Sequence, residues 1–150
     1  MENISRFVDF LLAKDFTLLE DNKQLRFVTY QHDGFYVRIA GDPDGRHFID
    51  LSITNLPGWQ GWQSMNPVNF FILKRHYSED GSAYFDELSQ FFIDHYNEIR
   101  EAFKPSEYPK TEAVLTILKN ESAKARFGYE KPEQEERPSW LKKLLNAFRK

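Results

Sequence analysis

The chain has no cysteine among its 150 residues, which excludes a disulfide framework, a thiol nucleophile and any cysteine-ligated zinc or iron–sulfur centre. Long apolar runs are also missing: nothing approaches the roughly 20 residues that a membrane-spanning helix requires. The acidic Glu2, Asp9 and Asp15 do not fit the basic-then-apolar pattern of a signal peptide, so a soluble cytoplasmic protein is expected. There is no Gly-rich phosphate cradle, because Gly58-Trp59-Gln60-Gly61 matches neither GxGxxG nor GxxxxGK[ST]. The four histidines (His32, His47, His76 and His95) show no HxH or HxxxH spacing. Asp42-Pro43-Asp44-Gly45 superficially resembles a calcium loop. With Gly45 at the sixth position, however, Ala40 and Leu51 fall on the first and twelfth, where neither can supply a carboxylate.

Nucleophilic catalysis leaves no signature either. No GxSxG elbow is present, and the single SxxK spacing, Ser139 to Lys142, lacks its companion SDN and KTG runs. Ser139 fits better as a helix N-cap. The adjacent pairs Glu79-Asp80 and Asp86-Glu87 point to different sides of a helix and do not converge on one substrate. No catalytic, metal-binding or cofactor-binding residue is therefore assigned, and no cofactor is expected.

Apolar residues make up 41% of the chain and aromatics 16%, with phenylalanine the commonest ring. That is too much ring surface for a disordered chain. Charge is unevenly spread: −5 up to Phe127, −2 from Gly128 to Arg137, and +4 from Pro138 to Lys150. Phosphate binding requires clustered Lys and Arg, so the mildly acidic body argues against nucleic acid as the main ligand and allows a basic protein partner.

Periodicity predicts an opening helix over 4–14 from Ile4, Phe7, Val8 and Leu11, with Asn3 as its cap. Strands follow at 16–20, 25–31, 35–40 and 46–53, separated by Asp21-Asn22-Lys23, His32-Asp33-Gly34 and the loop Gly41 to Gly45. Phe35, Val37 and Ile39 alternate with Tyr36, Arg38 and Ala40, as in a half-buried strand. Turns this short favour an antiparallel meander.

The period then changes. Asn66-Pro67 reads as a cap and first-turn proline opening a helix to Tyr77, broken by Ser78 to Ser82. Tyr84, Phe85, Leu88, Phe91, Phe92, Tyr96, Ile99 and Phe103 predict one helix of roughly five turns, ended by Pro105 and Pro109. Thr111 caps another helix to about Ala125. The expected architecture is α+β: an N-terminal helix, a meander of about four strands, then three to four helices. It comprises one domain over 1–127, an acidic linker over 128–137 and an amphipathic basic helix over 138–150.

Two features stand out. The loop Asn55 to Gln63 carries Trp59 and Trp62 beside Gly58 and Gly61. These tryptophans either anchor an exposed contact patch or fold back as a lid on the sheet. The second feature is the C-terminal segment, where Trp140, Leu141, Leu144, Leu145 and Phe148 form one stripe opposite Lys and Arg. That stripe suits an anionic membrane surface or a partner's groove, or else docking on its own domain.

The amphipathic opening helix Ile4 to Leu12, Phe16-Thr17-Leu18-Leu19-Glu20, and a meander with Val37-Arg38-Ile39 and Ile49-Asp50-Leu51 resemble small bacterial immunity proteins of polymorphic toxin systems. The likeness lies in element order over residues 4–54. It implies a compact cytoplasmic protein that neutralises a cognate toxin by binding it, and it carries over no site residues. Type III secretion chaperones look similar in opening with a helix and strands, but the long helical second half departs from their pattern.

The expected function is non-enzymatic protein binding, an immunity-type inhibitor that occludes a toxin or other partner. Trp59 and Trp62 are the first candidate anchors, and Asp42, Asp44, Glu79 and Asp80 would steer a basic partner. The alternatives are a peripheral membrane or groove-docking protein acting through 139–150, and an unrecognised small enzyme.

Overall fold

The computed structural model describes residues 3–74 and 84–127. The expected acidic linker, the C-terminal helix with Trp140, Leu141, Leu144, Leu145 and Phe148, the break at 78–82, and Glu79 and Asp80 lie outside those residues.

Helix α1 (Ile4–Ala13) starts where the Asn3 side chain accepts the Arg6 amide. It ends in a Schellman motif: Asp15 adopts φ 67°, and the Phe16 and Asp15 amides return to the carbonyls of Leu11 and Leu12. This reversal sends the chain into β1 (Thr17–Asn22), β2 (Phe27–His32), β3 (Phe35–Gly41) and β4 (His47–Ser52). All pair antiparallel in chain order. Asp33 and Gly34, both at positive φ, close the β2–β3 hairpin as the sequence predicts.

The mixed α+β class with a meander is the observed one. The sheet has a fifth member, β5 (Gln63–Ser64), on the far edge of β4. Two residues are too few to leave an alternation pattern, which is why it escapes a sequence reading.

The inner face of the sheet carries Val37, Ile39, Ile49 and Leu51, each at most 3% exposed. Against it pack α1 and three helices that follow β5: α2 (Met65–Ile72), α3 (Phe85–Asp94) and α4 (Tyr96–Ala102). Rings dominate this interior. Phe7 meets Phe85 and Phe92 edge-on at 5.9 and 5.2 Å, and Phe35 stacks parallel to Phe92 at 6.5 Å, the geometries the ring quadrupole favours. The last described helix, α5 (Tyr108–Phe127), adds Val114, Leu115 and Leu118 to the same core.

Several boundaries differ from expectation, each for a local reason. Ser64, not Asn66, caps α2 by accepting the Asn66 amide, and Pro67 is tolerated within the first turn, where amides lack intrahelical acceptors. This helix stops at Ile72 instead of Tyr77, as Lys74 turns to φ 54°. The predicted five-turn helix is two, interrupted at His95, which stacks on Phe91 at 4.3 Å. One non-helical residue barely shifts the apolar stripe, so periodicity alone does not reveal the break. Pro109 lies inside the first turn of α5 and not after the previous helix. Thr111, expected as a cap, is internal and donates its hydroxyl to the Ala102 carbonyl.

The main correction concerns β3. Its outer face is also buried, with Arg38 3% and Ala40 7% exposed. The strand is covered on both sides and is not half-buried.

Candidate functional site

The cover on the outer face is the segment between β4 and β5, residues 53–62. Ser52, fully buried, fastens both ends of it. Its hydroxyl lies 2.6 Å from the Thr54 carbonyl and 3.0 Å from the Gly61 carbonyl, and it accepts the Thr54 amide at 3.0 Å. Gly58 and Gly61 adopt φ 67° and 79°, where a β-carbon is unfavourable. At Gly61 an added β-carbon would also lie 3.0 Å from Thr54 Oγ1.

Beneath the loop is Arg38. Register places it in a row across the outer face, with Glu20 opposite Thr29, Thr29 opposite Arg38, Arg38 opposite Asp50 and Asp50 opposite Ser64. Its guanidinium donates to the Gly58 carbonyl at 2.7 Å and to Thr29 Oγ1 at 3.4 Å. Three rings surround the guanidinium carbon, Trp62 at 3.9 Å, Phe27 at 4.2 Å and Trp59 at 5.3 Å, all within cation–π range. Burial lowers the Arg38 pKa from the usual guanidinium value, while the charges of Asp50 and Glu20 pull it back up.

The two candidate tryptophans therefore take different parts. Trp62 is 7% exposed and forms a lid over Arg38, whereas Trp59 is 60% exposed and presents its ring to solvent. Trp62 is not a surface anchor, because the loop turns it inward. Its indole Nε1–H is buried without an acceptor.

Beside Trp59 lies a groove of roughly 430 Å³, between the β1–β2 hairpin and the loop. Leu25, Leu56, Pro57 and Trp59 wall it, Arg38 and Phe27 are at its floor, and Glu20 is at its lip. Leu25 and Leu56 are 65% and 40% exposed, so the rim is apolar and open.

Asp42 and Asp44 are elsewhere, on the β3–β4 loop. Asp42 is committed to shaping that loop, its carboxylate accepting the amides of Asp44 and Arg46 at 2.9 Å each. Neither residue lines the groove. No cluster of three or more histidines and carboxylates suited to a metal occurs among the described residues, and no described helix is long and apolar enough to cross a membrane.

Among the described residues, Asp50 is the most perturbed acid. Burial pushes its pKa from 3.8 up to about 6, against the opposing attraction of Arg38 and Lys119. Because the folded value exceeds the unfolded one, ionisation of Asp50 destabilises the fold. That penalty is fully present above about pH 6 and is relieved as pH falls through it. Asp50→Asn removes the titration. The stability difference between variant and wild type should therefore grow by about 1 kcal/mol between roughly pH 5 and pH 7.5, as read by urea unfolding. A gap that stays constant over that range would mean Asp50 titrates normally.

Sequence reasoning missed Arg38 and Asp50, both of which alternation assigns to the outward side. The only prior hint is that a long tryptophan-bearing loop requires something to cover. Comparison with protein-family models, curated proteins and solved structures finds no match to this chain.

Proposed function

We propose that this protein is a non-enzymatic binding module that occludes a partner protein, in the manner of an immunity-type inhibitor, through the groove beside Trp59. The observation that carries the reading is the composition of that groove: an exposed tryptophan and two exposed leucines rim a buried arginine. Trp and Arg are enriched among residues that dominate interface energies, and such residues act in a desolvated centre with neighbours that exclude water. The loop is pinned by the Arg38–Gly58 and Ser52–Gly61 hydrogen bonds, so its contact surface is pre-organised and little ordering entropy is lost on association. The resemblance in element order to immunity proteins agrees with a role in neutralising a partner by contact.

Affinity capture from a host extract tests this, comparing wild type with Trp59→Ala. The expected result is a partner retained by wild type and weakened about tenfold or more in the variant, the loss typical of a central anchor. Equal capture of the same proteins by both would remove the groove from the interface.

A further inference from the structure

The groove is chemically asymmetric, and this selects among possible occupants. A guanidinium carries five N–H donors, and at Arg38 two hydrogen bonds are made, to Thr29 and Gly58. Among the described residues the remaining donors have no protein acceptor, and none of them is a fully enclosed unpaired atom, so they open onto the groove that Arg38 lines. An occupant that seals the groove from water must replace the acceptor that water supplies to these donors, so one bringing an oxygen is favoured.

A carboxylate is the wrong oxygen. The cross-strand row already sets Glu20 and Asp50 against Arg38, and both act on its charge. With both ionised the row carries one net negative charge, which a third carboxylate would make worse. A main-chain carbonyl satisfies the guanidinium without adding charge. At the mouth, exposed Glu20 and the open face of Trp59 suit a cation. Leu25 and Leu56 between them suit an aliphatic side chain.

The edge of the sheet is continuous with this groove. Strand β1 pairs only with β2 among the described residues, five of its six residues are exposed, and Glu20 and Asn22 belong to both strand and groove. An edge strand offers unpaired N–H and C=O groups to an added strand.

Building on the binding reading above, we infer that the occupant is an extended segment of a basic partner protein. It adds along β1, places an aliphatic side chain between Leu25 and Leu56, and turns a main-chain carbonyl toward Arg38. Its lysine or arginine lies at Glu20 and Trp59.

The probe is an end-capped peptide of alternating lysine and valine, titrated into the full-length isotope-labelled protein and followed by NMR, with a glutamate–valine peptide as its counterpart. The lysine peptide should shift the amides of 17–22 and the Trp59 indole N–H. Its affinity should fall about fivefold in Glu20→Gln, and by a similar factor on raising salt from about 0.05 to 0.5 M. Equal or tighter binding of the glutamate peptide, shifts away from β1, or protection of β1 by a second copy at high protein concentration would each overturn the inference. If β1 stays silent to the peptide while Trp59→Ala still loses its captured partner, the occupant is wrong and the binding reading stands. If β1 stays silent and the variant keeps its partner, both fall.

Discussion

Replacing Trp62 with alanine should lower the unfolding free energy by about 3–5 kcal/mol, the usual cost of deleting a buried indole. The same change at Trp59 should cost no more than about 1 kcal/mol, an exposed cation–π contact. The two residues are three positions apart in one loop, yet Trp62 is 7% and Trp59 60% exposed. Removing Trp62 opens a cavity over the Arg38 guanidinium, which its ring covers at 3.9 Å, and lets water reach a charge whose neighbours were chosen to exclude it. Trp62→Phe should recover most of the loss, since it restores a ring and removes the indole Nε1–H that lacks an acceptor. Chemical denaturation of the three variants reads these differences directly. Similar losses at Trp59 and Trp62 would mean that the loop does not sort them into anchor and lid.

The second large effect is expected at Arg38. Arg38→Met keeps much of the aliphatic volume but loses the hydrogen bond to the Gly58 carbonyl, the stacking with Phe27 and Trp62, and the positive charge facing Asp50. Breaking a buried charge pair from one side typically costs about 3–5 kcal/mol, because the other charge is left uncompensated. Asp50 supplies a way to check the cause. At about pH 5 it is largely protonated in the native protein, so the loss on removing Arg38 should be about 1 kcal/mol smaller there than at about pH 7.5. Arg38→Lys should recover only part of the stability, since an ammonium cannot stack in a slot between two rings. If the Arg38→Met loss is identical at both pH values, the pair is uncoupled and the cost comes from the loop contacts alone.

What could be read from the chain follows a physical rule. Elements whose burial is one-sided leave a periodic trace, and here the trace is reliable: Phe7 and Leu11 on α1, Ile49 and Leu51 on β4, and Phe85, Leu88 and Phe92 on α3 are all core residues. Elements buried on both faces do not. Arg38 alternates with Val37 and Ile39 and so reads as solvent-facing, because the residues that cover it come some twenty positions later and show no periodicity. The loop itself was recognisable from its glycines and tryptophans. Which tryptophan turns inward depends on positive φ angles at Gly58 and Gly61, and parity along a strand says nothing about a segment shaped that way. The Arg38–Asp50 pairing likewise required the β3–β4 register, which composition does not supply. Cap residues fail for a related reason. Ser64 and Asn66 are both competent N-caps, and the short ladder of β5 with β4, which ends at Ser64 opposite Asp50, sets Ser64 as the residue before the helix.

The sheet runs in chain order from β1 to β5, so each hairpin can close as soon as its second strand has left the ribosome. Helix α1 has no such neighbour. The Asn3 amide is held by Asp86, 83 residues away in sequence, and Phe7 packs on Phe85 and Phe92. Helix α1 is therefore made well before the helix that completes its site. Until α3 emerges, the Phe7 and Leu11 face has the sheet to pack on but lacks its ring partners Phe85 and Phe92. A nascent chain halted before α3 should consequently be a client for a holdase, and a rearranged chain in which α3 is made before α1 should shed that dependence.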